Sequence, residues 1–222
     1  MGSIYLVAPV GDPEPLATMK PFLYRALDAG IRRFVFLSSS AIAERGPALG
    51  QVHHFLKGSV PALTVLRPTW LMQNFSEGQH ISSIRSQGII YSATDNGRVP
   101  FIDAGDIAAV AAEVLLRPSN SCEDLVLTGP DFLSYDDVAT IISRVAGYPV
   151  KHHGITPCEL SQRYHQAGMP SQYAQVLAEL DARIAAGSEN RLTDEVLRIT
   201  GRPPTSFQQF AEEAGSAWKR AA

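Results

Sequence analysis

This chain of 222 residues is poor in cysteine and in charged residues. Its two cysteines, Cys122 and Cys158, form no Cys-x-x-Cys pair and have no basic partner nearby in the sequence. They are expected to be free thiols in a reducing compartment rather than nucleophiles, with a disulfide between them as the alternative. Charged residues make up 18% of the chain and the net charge is -3, which gives no electrostatic basis for binding nucleic acid.

Long apolar runs and a targeting segment are also missing. No run approaches the roughly 20 apolar residues that a membrane-spanning helix needs, and the first residues lack the basic-then-apolar pattern of a signal peptide. We therefore expect a cytoplasmic protein without a membrane partner. With 45% hydrophobic residues, the chain has the composition of one substantial globular domain, or of one domain with a small cap.

The first third of the sequence alternates between short apolar runs and helical patterns. Strands are expected at three such runs, residues 4–7, 33–38 and 63–66. Helices are expected between them, from Pro13 to Gly30 with Asp12 as the cap, and at residues 47–57. A strand–helix–strand order with short connections predicts an α/β fold with a parallel sheet.

The rest of the chain is richer in helical patterns. Further helices are expected at residues 72–87 and 103–116, and further strands at residues 89–92, 124–128 and 150–155. Ser134 and Asp137 form a capping-box-like pair before another apolar helical pattern. From Pro157 onward the pattern is helical.

Three of the predicted strand ends carry residues suited to a ligand. In a parallel sheet the carboxyl ends of the strands meet at one edge, where ligands bind. The ends here are Ala8 and Pro9, then Ser38, Ser39 and Ser40, then Pro68, Thr69 and Trp70. Serine and proline also terminate strands without any further role, but three such ends in register favour a binding site.

Histidine occurs in two adjacent pairs, His53–His54 and His152–His153. Adjacent residues point to different faces of a helix or strand, so neither pair is expected to chelate a metal and no metal site is predicted. His53 follows the serine-rich strand end and is the candidate proton donor, because the pKa of histidine lies near neutrality. A hydrogen-bonded structural role is the alternative.

Large and partly polar side chains follow the third strand. This set, suited to a flat organic substrate, consists of Trp70, Asn74, Phe75, His80, Tyr91 and Phe101. Packing in the hydrophobic core is the alternative for these side chains.

Three stretches of the sequence carry a resemblance to a known family. They are RRFVFLSSSAIAERGPALGQVHHFL, LTVLRPTWLMQNFSE and GIIYSATDNGRVPFIDAGDIAAVAAEVL. They are similar to the NmrA-like branch of the short-chain dehydrogenases, and within it to the ergot-alkaloid dehydrogenases (festuclavine and agroclavine dehydrogenases). The similarity runs from about Ile4 to the C-terminal SFQQFAEEAGSAWKR, which is nearly the whole chain.

The resemblance implies a truncated Rossmann-like fold. Residues 1–128 would form a partial dinucleotide-binding domain and residues 129–222 a mostly helical substrate region, the two being interleaved. It also implies an oxidoreductase that reduces an iminium or enone of an indole-alkaloid-like substrate with NADPH. The cofactor would contact the three strand ends, and His53 and Ser39 are the candidate catalytic residues.

Two parts of the family pattern do not occur in these 222 residues. The strand Ile4–Val7 resembles the fourth strand of the family's sheet, and there is no G-x-G-x-x-G or G-x-x-G-x-x-G motif to cradle a pyrophosphate, so NADPH binding is expected to be weaker by several orders of magnitude. The Lys and Glu that many relatives carry before the LRP strand fall on Leu49 and His53, and no Tyr-x-x-x-Lys occurs. Reduction of an iminium needs only a hydride, so this second departure is compatible with the reaction.

An open strand at Ile4–Val7 would leave an exposed apolar edge. A second copy of the chain is expected to cover that edge, making a homodimer. Three other interpretations stand beside the reductase: a cofactor-independent isomerase or cyclase that uses the retained cleft, a non-catalytic NmrA-like sensor, and a shortened version of a longer enzyme with little activity of its own.

Overall fold

The computed structural model of the chain describes residues 2–117 and 122–220. In chain order, the helices and strands are β1 (Ser3–Val7), α1 (Pro15–Asp28), β2 (Arg33–Leu37), α2 (Leu49–Ser59), β3 (Ala62–Pro68), α3 (Ile81–Gln87), β4 (Ile89–Ser92), α4 (Ala104–Leu116), β5 (Cys122–Leu127), α5 (Tyr135–Ala146), β6 (Lys151–Gly154), α6 (Pro157–Gln166), α7 (Ser171–Ala185), α8 (Glu195–Thr200) and α9 (Phe207–Glu213). Single 3-10 turns lie at Met72–Phe75 and Gly215–Trp218. The prediction of a mixed α/β fold with a parallel sheet is confirmed.

The chain folds into two compact units, each assembled from three separate stretches. Within the described residues, unit one consists of Met1–Thr69, Gly105–Thr128 and Thr193–Pro203. Unit two consists, with the same restriction, of Trp70–Ala104, Gly129–Leu192 and Pro204–Ala222.

Unit one is built on a four-stranded parallel sheet in the order β1-β2-β3-β5. The central strands β2 and β3 are almost continuously buried, in keeping with their apolar sequences RFVFL and ALTVL. Helices α1 and α2 share one hydrophobic cluster with the sheet. Its buried members include Leu6, Met19, Leu23, Phe34, Phe36, Val52, Leu56 and Val65.

Strand β1 lies at the edge of this sheet. It pairs with β2 from Ser3, opposite Arg33, to Val7, opposite Leu37. Tyr5 is 37% exposed and Val7 is 54% exposed, whereas Leu6 between them is buried. Among the described residues, β1 therefore has no strand beyond it, and one of its faces exposes the uncharged side chains of Tyr5 and Val7.

Unit two contains a parallel pair of strands, β4 and β6, and an aromatic core. The core packs the ring of Phe75 edge-on against Phe101 and Phe207, with centroids 5.3 Å and 5.5 Å away. Helix α5 begins with the predicted capping box. Asp137 N donates to Ser134 Oγ at 3.1 Å, and Ser134 N donates to Asp137 Oδ2 at 2.9 Å, so this prediction is confirmed.

Two local predictions were wrong. The expected helix at residues 72–87 is a 3-10 turn followed by α3, because the backbone turns sharply at Gly78, where a Cβ would lie 2.8 Å from Asn74 Cα. Helix α1 starts at Pro15 with Glu14 as the capping residue, so Asp12 lies before the helix and instead accepts bonds from Glu14 N and Thr18 Oγ1. The other predicted bounds differ from the observed ones by no more than two residues.

Candidate functional site

The carboxyl ends of three strands of unit one lie side by side. The register places Val7, Leu37 and Leu66 at the same level of the sheet, so the segments that follow are adjacent: Ala8–Pro9, Ser38–Ser40 and Pro68–Thr69. Ser38 N donates to the carbonyl oxygen of Leu66 at 2.8 Å, and Ser40 N donates to that of Pro68 at 2.9 Å. These bonds hold the serine segment against the end of β3.

The hydroxyl groups of these segments differ in accessibility. Ser39 is half-buried, and its Oγ accepts a bond from Ala41 N at 3.2 Å. Ser38 and Ser40 are buried. Thr69 is also buried, and both its backbone N–H and its hydroxyl donate to the carbonyl oxygen of Leu127, so this residue links β3 to β5.

The segment after β1 is the most exposed of the three. Pro9 is exposed, and Ala8 packs partly against the hydrophobic cluster of unit one. A ligand at this edge would meet the backbone of Ala8 and Pro9 and the hydroxyl of Ser39, whereas Pro68 is buried.

His53 lies on α2 and is 97% buried, being only 3% exposed. Neither its Nδ1 nor the Oγ of Ser38 has a hydrogen-bond partner among the described residues, although both atoms are buried. Burial lowers the pKa of His53, while the nearby Asp124 and Glu44 raise it and Arg67 and Lys57 lower it. Because its pKa is lowered, His53 is a neutral imidazole at physiological pH.

Three residues predicted to contact a substrate lie in the core of unit two. Phe75, His80 and Phe101 are at most 2% exposed. The His80 ring stacks on Phe75 with centroids 5.0 Å apart and planes 18° apart. Burial, with a smaller effect of the nearby His152, lowers the pKa of His80 to about 3. These side chains pack the core, which was the stated alternative for them.

The other predicted substrate residues are more accessible. Trp70 and Asn74 are half-buried, and Trp70 packs against the aromatic core of unit two. Tyr91 is half-buried, with its hydroxyl donating to Gln87 Oε1 at 2.7 Å and the Arg163 guanidinium 3.5 Å from its ring centroid.

Sequence reasoning missed a polar chain that enters the interior of unit two. His152 Nδ1 lies 3.4 Å from Asp136 Oδ2, and its Nε2 lies 2.8 Å from Ser92 Oγ, which in turn lies 2.7 Å from Thr94 Oγ1. Ser92 and Thr94 are fully buried, so the chain stabilises the fold and offers no open nucleophile. It joins β4 to β6 through a pairing that the sequence does not reveal.

A buried carboxyl group, Asp181, was also missed. It is 2% exposed and accepts a bond from Ala93 N at 3.0 Å. Burial raises the pKa of Asp181 to about 7, and the bond from Ala93 opposes this shift. The sequence did carry a signal for this group, because Asp181 is an acidic residue at the helical spacing of the apolar residues Ala174, Ala178 and Ile184 of α7.

A small cavity of about 20 Å³ lies at the amino ends of the strands in unit one. Its lining comprises Arg33, Ala62, Leu63, Thr64, Val114, Arg117 and Glu123. This volume is enough for a water molecule but not for a cofactor or an aromatic substrate.

In the part of the chain that the structure describes, no cluster of three or more His, Cys, Asp or Glu side chains could hold a metal ion. None of the helices in residues 2–117 and 122–220 is both long enough and apolar enough to cross a membrane.

Comparison with known proteins gives the family. The model of the NmrA-like family matches residues 22–190. The chain belongs to the NmrA-like family. This NmrA-like chain is 41% identical over 215 residues to an uncharacterized oxidoreductase, YesF, of Bacillus subtilis strain 168, covering 97% of this chain and 75% of YesF. It is 38% identical over 222 residues to the agroclavine dehydrogenase of Claviceps fusiformis, again covering 97% of this chain and 75% of the relative.

The family resemblance predicted from the sequence is thereby confirmed, and the NmrA-like chain is of an oxidoreductase lineage. Among solved structures, the NADPH-dependent quinone oxidoreductase QOR2 of Escherichia coli, complexed with NADPH, is similar with a TM-score of 0.81. That match covers 95% of this chain and 75% of QOR2 at 16% sequence identity, so it supports the Rossmann-type fold alone.

Proposed function

We propose that this NmrA-like protein is an NAD(P)H-dependent reductase of secondary metabolism. Its substrate would carry an iminium or enone within an aromatic, indole-alkaloid-like framework. The observation that supports this most directly is the 38% identity to an agroclavine dehydrogenase across 97% of the chain. Relatives of that similarity commonly keep the class of reaction even where they differ in substrate.

The cofactor contacts are assigned to the carboxyl edge of the sheet in unit one. Ala8, Pro9 and Ser39 would meet the cofactor directly, and the buried residues Ser38, Ser40, Pro68 and Thr69 would support these contacts. The half-buried Ser39 hydroxyl and the exposed backbone at Pro9 suit the polar groups of a nicotinamide riboside. A bound nicotinamide would supply the hydride; an iminium carbon that accepts it becomes an amine without taking up a proton.

An enone differs from an iminium because it needs a proton as well as a hydride. Ser39 is the assigned donor, since it is the most accessible of the three serine hydroxyls. His53 is assigned as the group that would return the proton to this segment, because the pKa of histidine lies near neutrality.

A titration of NADPH fluorescence, followed by NADPH oxidation with iminium and enone substrates, tests this function. Binding in the micromolar range with turnover would support the reductase, although these 222 residues contain no glycine motif to cradle the pyrophosphate. Ser39→Ala should lower enone reduction by about 10²–10⁴-fold and spare iminium reduction, because only the enone needs the proton. Ser86→Ala, an exposed serine of α3, is the control and should leave both rates unchanged.

The other outcomes overturn the reductase assignment. An absence of NADPH binding at millimolar concentration, with conversion of a substrate still seen, would favour an isomerase or cyclase. Tight binding of a ligand without any turnover would favour a sensor.

A homodimer through β1 is the second part of the proposal. The segment Gly2–Gly11 contains no charged residue, so two copies would meet without repulsion. The open backbone groups of β1 would be paired, and natural sheets rarely leave such an edge unprotected. Edge pairing of two β1 strands around a two-fold axis would extend the sheet.

Sedimentation velocity at micromolar concentration tests the dimer. The wild-type chain should sediment as a dimer, and Val7→Lys should sediment as a monomer because it places a charge on the shared edge. Val176→Lys is the matched control, since it adds a charge at an exposed valine of α7 in unit two and should remain dimeric. A monomeric wild-type chain would rule the pairing out.

A further inference from the structure

The guanidinium of Arg67 contacts the serine segment through two backbone carbonyl groups. Its Nε donates to the carbonyl oxygen of Ser39 at 3.3 Å, and its Nη2 donates to that of Ser40 at 3.1 Å. The third arm, Nη1, lies 3.2 Å from Asp124 Oδ2. One side chain near the end of β3 thus binds two consecutive peptide groups beyond β2 and a carboxylate on β5.

The planar fork of arginine explains this arrangement. It presents several N–H donors in fixed directions, so two neighbouring carbonyl oxygens can be bound at the same time. A lysine ammonium has the same charge but only one nitrogen, and it cannot reproduce the three contacts. The Arg67 side chain is only 15% exposed, which limits competition from water for these bonds.

Backbone bonds act in the same direction as the side chain. Ser40 N donates to the carbonyl oxygen of Pro68, immediately after Arg67 in β3. The serine segment is therefore fixed at both its N–H and its C=O groups. The Arg67 side chain thus sets the orientation of the peptide groups at Ser39 and Ser40.

We propose that Arg67 is a positioning residue that fixes the segment Ser38–Ser40 for ligand binding. The inference rests on the proposed function, in which this segment contacts the cofactor. Arg67 acts through the backbone of the segment and does not itself contact the cofactor. Asp124 holds the third arm of the guanidinium and sets its orientation.

Arg67→Lys and Arg67→Met test the proposal with two readouts. The first is hydrogen–deuterium exchange at the Ser40 amide, which should become faster by about tenfold or more in both variants, since local opening sets the exchange rate. The second is the dissociation constant for NADPH, which should rise by about tenfold in both variants although lysine keeps the charge. Exchange at Phe36, in the centre of β2, should not change.

Arg32→Met is the matched control. Arg32 lies in the same unit and donates to the carbonyl oxygens of Leu27 and Ile31, but it is exposed and lies just before β2, at its amino end. Its replacement should leave both readouts unchanged.

Wild-type exchange at Ser40 and wild-type NADPH affinity in Arg67→Lys would overturn the positioning role. If Arg67→Met does not fold, Arg67→Lys alone decides the question. If the wild-type protein binds no NADPH, the proposed function fails, and the exchange rate at Ser40 still shows whether Arg67 fixes the segment.

Discussion

Trp218 donates its indole Nε1–H to the carbonyl oxygen of Phe75 at 2.8 Å. The two residues are 143 positions apart in the chain, and both are fully buried in unit two. The bond satisfies a carbonyl of the 3-10 turn at Met72–Phe75 that would otherwise be buried without a partner. The last turn of the described chain therefore stabilises the core around Phe75.

Replacement of Trp218 tests this stabilisation. Trp218→Phe should lower the free energy of unfolding by about 1–3 kcal/mol, because the carbonyl oxygen of Phe75 loses its donor and the smaller ring leaves a void. Urea unfolding followed by circular dichroism measures the change. A loss below about 0.5 kcal/mol would contradict the role of the bond.

Two glycines of α2 provide a matched pair. At Gly50 a Cβ would lie 2.5 Å from the carbonyl oxygen of Ala43, whereas at Gly58 nothing lies within 4 Å. Gly50→Ala should therefore destabilise the protein by about 1–3 kcal/mol, because backbone must move to admit the methyl group. Thermal or denaturant unfolding of this variant gives the measurement.

Gly58→Ala is the control for that substitution. It should be neutral or should stabilise the protein by up to about 1 kcal/mol, since alanine lowers the entropy of the unfolded chain and favours the helix. Equal effects at the two positions would show that the close approach to Ala43 is relaxed in solution.

His80 should make the protein sensitive to acid. Its pKa is lowered to about 3 by burial and by the nearby His152, against about 6.5 in the unfolded chain. Between these two pKa values the unfolded chain binds a proton that the folded protein does not. The free energy of unfolding is therefore not reduced by His80 above pH ~6.5, and it falls by up to roughly 5 kcal/mol as the pH drops toward 3. His80→Phe, which keeps the ring stack on Phe75, should flatten the dependence of unfolding free energy on pH in this range. Parallel curves for the two proteins would contradict the assignment.

Asp181 should make the free energy of unfolding depend on pH in the opposite direction to His80. Its pKa is raised to about 7 by burial, partly offset by the bond from Ala93, so the folded state binds a proton that the unfolded state has released. Stability from the neutral carboxyl is present below pH ~4 and is lost as the pH rises toward 7, by up to roughly 4 kcal/mol. Asp181→Asn keeps an acceptor for Ala93 N–H and should gain stability relative to wild type between these values. Denaturant titrations at several pH values measure this gain, and a difference that does not vary with pH would refute it.

The sheet of unit one was largely predictable because its strands are short apolar runs with clear ends. The strands RFVFL and ALTVL could be located within two residues from the apolar runs in the sequence. The break in the helix expected at residues 72–87 could not be predicted from the sequence. It depends on the close approach of Gly78 to the Asn74 backbone, a contact that exists only after the chain has turned.

The candidate site was predictable in outline and not in detail. Adjacent strand ends follow from a parallel sheet, so the proximity of Ser38–Ser40 to Pro68 could be inferred. Burial of Phe75, His80 and Phe101 depends on which side of an irregular segment faces the core, and a single sequence carries no such information. Arg67 had one signal, a lone cation within an apolar strand, but its bonds to Ser39 and Ser40 depend on the strand pairing.

The interleaving of the two units constrains how the protein can be made. Six stretches alternate between them, so the chain passes five times from one to the other. The stretch Thr193–Pro203 is needed by unit one, where Thr193 Oγ1 donates to the carbonyl oxygen of Val126 at 2.6 Å and Arg117 donates to that of Ile199 at 2.7 Å. During translation the sheet of unit one therefore cannot be completed until residues more than 60 positions after its last strand have been made. A nascent chain halted near residue 190 would leave the sheet without the stretch Thr193–Pro203.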